Sequence, residues 1–74
     1  MSKVFILIRT VAGRMWHIRT IIQEFESIND VHVITGPYDL VASADLPSDD
    51  FLKKLLDNIH DVEGVISTET WIAI

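Results

Sequence analysis

The 74-residue chain is sized for one domain, and with no cysteine it has neither a disulfide nor a thiolate metal site to staple it. Six basic residues against eleven acidic ones leave a net charge of −5 without a dense Lys/Arg cluster, which argues against direct binding of nucleic acid. No apolar run approaches about 18 residues, so no transmembrane helix is expected and the chain reads as cytoplasmic.

Val4 to Arg9 is the first predicted strand. Its apolar residues, Val4 to Ile8, are consecutive, so both faces are expected to be covered. Helices of the same chain would cover one face and a second subunit the other. The hydrophobic fraction of 49% points the same way, because so short a chain cannot bury that much alone. After a connection at Thr10 to Gly13, a first helix is predicted from about Gly13 to Ser27. Met15, Ile18, Ile21, Ile22, Phe25 and Ile28 form its apolar stripe. Trp16 falls about 160° from Ile18 at 100° per residue, beside Thr20 and Gln23. It is either a contact site or a lone surface tryptophan.

Asn29-Asp30 closes the helix. Two strands follow in VHVITGPYDLVASADL, Val31 to Leu46. Val31, Val33 and Ile34 precede a tight turn at Gly36-Pro37; Leu40, Ala42, Ala44 and Leu46 then alternate with Asp39, Val41, Ser43 and Asp45. Ser48 is the expected N-cap of a second helix, and Asp49 and Asp50 suit its positive end. Phe51, Leu52, Leu55, Leu56, Ile59 and Val62 form its buried stripe. Asp50–Lys54 and Lys53–Asp57 are spaced for ion pairs on the other side. Gly64 terminates this segment. In the last strand, Val65 to Ile74, Ile66, Thr68, Thr70, Ile72 and Ile74 share one face. The other face carries Val65, Ser67, Glu69, Trp71 and Ala73.

The order β-α-β-β-α-β, with right-handed crossovers, gives an α+β fold of the ferredoxin-like kind, one domain over residues 1–74. A four-stranded antiparallel sheet carries both helices on one face.

Sites of chemistry are few. His17, His32 and His60 have no i,i+4 pairing and no metal-ligand spacing, so no metal is expected. No phosphate loop or nucleophile elbow occurs, no carboxylate pair stands out as an acid/base couple, and no cofactor is expected. Two polar features stand in apolar settings: Tyr38-Asp39 beside the turn, and Thr68-x-Thr70 on the last strand. Each also has a purely structural reading, since Asp stabilises turns and Thr favours strands.

At these residues the chain resembles a known family. Thr35-Gly36-Pro37-Tyr38-Asp39-Leu40-Val41-Ala42 resembles the TG-x-YD-hydrophobic hairpin of the Lrp/AsnC transcription regulators. Ile59-His60-Asp61-Val62-Glu63-Gly64-Val65-Ile66-Ser67-Thr68-Glu69-Thr70 is similar to their I-x-x-[IV]-x-GV-x-x-T-x-T segment. Both motifs lie in the effector-binding (RAM) domain, and the likeness covers essentially the whole chain. No helix-turn-helix precedes Lys3, so the expected form is a stand-alone RAM protein.

The resemblance implies a dimer formed through the sheets, assembly into larger rings, and an amino acid or related effector bound between dimers. It also implies co-assembly with full-length Lrp/AsnC regulators, in the service of transcriptional or metabolic regulation. The effector residues expected on this basis are Gly36, Tyr38, Asp39, Thr68 and Thr70, with no catalytic residue. Two other readings of the same topology are an ACT-type amino-acid sensor and a small dimeric monooxygenase or isomerase. The enzyme would draw on His17, His32 and Trp71.

Overall fold

The computed structural model describes residues 2–74. Its elements are β1 (Ser2–Thr10), α1 (Met15–Gln23), β2 (Ile28–Val33), β3 (Leu40–Leu46), α2 (Asp49–His60) and β4 (Val65–Ile72). All strand pairs are antiparallel, in the order β2-β3-β1-β4, which is the expected ferredoxin-like sheet.

Alternation assigns the faces. Val4, Ile6 and Ile8 on β1 and Leu40, Ala42, Ala44 and Leu46 on β3 are buried with Ile18 and Ile22 of α1 and Leu55 and Ile59 of α2. The helices therefore cover this face, and burying each Val, Leu or Ile side chain contributes about 1.5–3 kcal/mol. The opposite face of β1, with Phe5 and Leu7, lies open in the single chain. Residues opposite one another across a strand pair share a face. Ile72, Thr70 and Thr68 pair with Val4, Ile6 and Ile8, so they lie on the helix side. Glu69 and Trp71 pair with Leu7 and Phe5, so they lie on the open side.

The first helix is shorter than its apolar spacing predicts. It ends at Gln23, and the Phe25 N–H bonds back to the Ile22 carbonyl at 3.0 Å in a tighter turn. Phe25 and Ile28 still pack on the core, but from that turn and from β2. The second half repeats the arrangement, with the Val62 N–H on the Ile59 carbonyl at 3.1 Å. Asn29 and Asp30 accordingly belong to β2 rather than ending a helix.

The β2–β3 turn is also wider than the predicted Gly36-Pro37 hairpin. It spans residues 34–39 and closes with the Ile34 N–H on the Asp39 carbonyl at 2.9 Å. Pro37 has no N–H to give to a tight ladder. The Asp39 N–H is directed to the Ile8 carbonyl of β1 at 2.9 Å. Ser48 sits at the N-cap of α2, but its hydroxyl makes no capping bond. Among the described residues the lysine–carboxylate pair is Lys3–Asp45, and His32 Nε2 lies 3.4 Å from Asp30, so the i,i+4 pairs foreseen on α2 are not closed.

Candidate functional site

The Gly36–Asp39 turn is held by the end of β1. Leu40 pairs with Ile8, so Arg9 and Thr10 run past the β3 ladder with hydrogen-bonding groups to spare. The Thr10 backbone N–H donates to Asp39 Oδ2 at 2.8 Å, and the Thr10 hydroxyl lies 3.4 Å from the same oxygen. Arg9 Nε and Nη2 donate to the Pro37 carbonyl at 3.3 and 3.1 Å. Gly36, at φ +125°, takes a backbone conformation that residues with a Cβ rarely adopt. The turn is therefore fixed to β1 through Pro37 and Asp39, while Gly36 leaves its tip open.

Tyr38 turns onto the open face of the sheet. Its hydroxyl donates to Glu69 Oε1 at 2.9 Å, and the Trp71 indole N–H donates to the other Glu69 oxygen. The bond to Glu69 raises the Tyr38 pKa above its ordinary value; desolvation and the Glu69 charge add to the shift, and Arg9 opposes it. Alternation gives no hint of this cluster beyond a lone carboxylate in the row Val65, Ser67, Glu69, Trp71, Ala73.

Thr68 and Thr70 lie on the other face, half-buried beside α2. His60, the last residue of α2, places Nε2 3.0 Å from the Thr68 hydroxyl oxygen. Ile66 and Ile72 flank the two threonines and are exposed. Asp39 and Thr68 thus stand at one level of the sheet, since Ile8 accepts from Asp39 on one side and pairs with Thr68 on the other, while Thr70 lies opposite Ile6. Two strand spacings, roughly 9.5 Å, separate the backbones of the turn and β4. Within one chain Tyr38 and the threonines occupy opposite faces, so a small ligand does not touch all of them in the same copy.

Three other features lie apart from these residues. Trp16 is 65% exposed on α1, as its helical phase predicts. An open groove of about 400 Å³ runs between the α1–β2 turn and α2, lined by Glu24, Glu26, Phe51 and Lys54 among others. None of the expected effector residues lines it. The catalytic candidates of the enzyme reading do not converge: His32 is on one edge strand, Trp71 on the opposite edge, and His17 on α1. Among the described residues no group of three or more His, Asp or Glu could hold a metal ion.

A turn pinned by a part-buried aspartate thus faces, across β1, an edge strand bearing two threonines. The chain matches the Lrp/AsnC ligand binding domain over residues 3–74, and it belongs to that family. It is 33% identical over 70 residues to the HTH-type transcriptional regulator FL11 of Pyrococcus abyssi, covering 95% of this chain and 46% of that regulator. It thus spans about half the length of the curated relatives it matches. Among solved structures, TTHA0845 from Thermus thermophilus is 36% identical with a TM-score of 0.95, covering 100% of this chain and 94% of that one. The Neisseria meningitidis transcriptional regulator NMB0573, solved as an L-Met complex, is 16% identical with a TM-score of 0.82. That match covers 99% of this chain and 49% of that one, and it is a likeness of fold alone.

Proposed function

We propose that this chain is a non-catalytic effector module that binds an α-amino acid between copies of itself and serves transcriptional or metabolic regulation. Copies stack through the open sheet faces and assemble further into a ring. A DNA-reading Lrp/AsnC regulator is the partner that would carry its signal, in the cytoplasm. Among the described residues no helix is long and apolar enough to cross a membrane.

The observation that carries the reading is a pair of polar features that one copy holds apart and a second copy could complete: the turn that Asp39 pins to β1, and the two threonines of β4. An amino acid needs an anionic acceptor for its ammonium and neutral donors for its carboxylate. Asp39 supplies the acceptor, by a charge-assisted bond. Gly36 lets backbone N–H groups approach the ligand, and Tyr38 offers a ring or a hydroxyl. Thr68 and Thr70 present hydroxyls a strand repeat of about 6.6–6.8 Å apart, from β4 of a neighbouring copy. The match to a ligand binding domain over residues 3–74 supports a small-molecule effector.

The test is a thermal-shift screen of the twenty amino acids alongside native mass spectrometry. A ligand at 100 times its Kd stabilises the fold by about 2.7 kcal/mol. Asp39→Ala and Thr70→Val, with the oligomer intact, should each weaken binding by about ten- to a hundredfold. An oligomer that responds to none of the twenty refutes the reading.

A further inference from the structure

We infer that His60 is a further residue of the effector site, one that sets the Thr68 hydroxyl to donate to a ligand carboxylate and makes binding tighter as pH falls. The inference rests on the effector reading above and adds to it a residue outside the turn and the threonine pair. The geometry is the 3.0 Å approach of His60 Nε2 to Thr68 Oγ1, at the seam between the end of α2 and edge strand β4.

A neutral imidazole at that distance has two choices. Either Nε2–H donates to the hydroxyl oxygen, or an unprotonated Nε2 accepts the hydroxyl proton. In the second state the Thr68 hydrogen is spent within the chain. A protonated imidazole has only the first choice, because both ring nitrogens then donate. Thr68 must accept, and its own hydrogen is free to donate to a ligand. The imidazolium also brings a positive charge one hydrogen bond away from the ligand carboxylate.

The surroundings leave that role to His60. Asp57, Asp61 and Glu63 are the charged groups on its own helix end and the turn after it. On the same face β4 presents Thr70 and Ile72, with Val65 opposite Thr10 past the shift in the ladder, none charged, and the face of β3 toward the helices carries only Leu40, Ala42, Ala44 and Leu46. Arg14, at the start of α1, comes close to Gly64 in the turn after α2. Histidine is the side chain that ordinarily changes charge between about pH 5 and 8, whereas carboxylates titrate below that window. His32 lies on the opposite edge of the sheet and His17 on α1, so their variants serve as controls.

The experiment titrates the twenty amino acids, one at a time, into the intact oligomer at pH 5.5 and 8.0 by calorimetry. It is repeated with His60→Gln, His17→Gln and His32→Gln. A glutamine amide can still bond Thr68 but does not titrate. The expected result is an affinity about five- to tenfold higher at pH 5.5 for the bound amino acid. His60→Gln should abolish that ratio, and the two control variants should keep it. Equal affinity at both pH values, or a ratio that survives in His60→Gln, overturns the role of His60 while the effector reading stands. No binding at either pH overturns both.

Discussion

The Tyr38 hydroxyl reaches across β1 to Glu69 on β4, at 2.9 Å, and so ties the turn to the open face of the sheet. The chain has one tyrosine, so its ionisation can be followed without interference from another phenol. The hydrogen bond to Glu69 holds the proton on, and the folded-state pKa lies above the ordinary value. By linkage, the contribution of this bond is fully present below the ordinary tyrosine value near 10. It is lost as pH rises through the raised one. An alkaline absorbance titration should show phenolate appearing later than in a free tyrosine. In Glu69→Gln, where the carboxylate charge is gone, the midpoint should move back toward the ordinary value. An unchanged midpoint would mean that the bond does not form in solution.

Asp39 has a structural task whatever it binds. Its carboxylate accepts the Thr10 N–H at 2.8 Å and so helps close the turn on β1. Hydrogen bonds to a charged group are worth about 1.5–3 kcal/mol. Asp39→Ala should therefore lower unfolding free energy by about that amount in urea. Asp39→Asn retains a carbonyl acceptor and should lose less. If the two variants were equally stable, the Thr10 contact would not be what holds the turn.

Much of the fold was legible because alternation and helical spacing are local. Leu40, Ala42, Ala44 and Leu46 read as one buried face of a strand, and they are. The end of α1 was not legible. Phe25 and Ile28 continue the helical spacing while packing on the core from a turn and a strand. A stripe records which residues are buried, not how the backbone carries them there. The T-x-T spacing put both threonines on one face, but nothing local said that the helices cover it. The Tyr38–Glu69 and His60–Thr68 contacts depend on the sheet register, so the sequence marked the residues without their partners. Glu69 stood between the two threonines and passed as an ordinary strand carboxylate.

Gly64 joins backbone freedom to close packing. It sits at φ +100°, and a Cβ there would lie 2.9 Å from Ile18 Cδ1, a side chain with no exposed surface. Left-handed backbone costs a residue with a Cβ about 1–2 kcal/mol, and the contact adds to that. Gly64→Ala should destabilise by about 1–3 kcal/mol in total. Ile18→Val removes the contacting methyl at its own cost of about 0.5–1.5 kcal/mol. In a double-mutant cycle the pair should lose at least about 0.5 kcal/mol less than the sum of the singles. Strict additivity would assign the whole cost to the backbone.

The open sheet face bears on the proposed assembly. Phe5 and Trp71 are exposed there, with Leu7 and Val41 half-buried between the strands. A chain that is 49% hydrophobic leaves this face bare, while on the other face β1 and β3 are packed under the helices. A second copy brought face to face would bury these rings against one another. Glu69 would not oppose this as an isolated charge, because Tyr38 and Trp71 already donate to both its oxygens. Sedimentation at micromolar concentration should show a dimer or a larger assembly, and a folded monomer would exclude stacking as a condition of folding. Leu7→Glu places a carboxylate in the middle of the face, directly across from Glu69 in the β1–β4 register. Like charges at that spacing repel, and a second copy would desolvate both. The variant should dissociate at concentrations at least about tenfold higher than the wild type does. Phe5→Ser, a neutral change on the same strand, should weaken assembly less and keep the circular-dichroism spectrum of the fold. Assembly that resists both changes would mean that the copies meet through another surface.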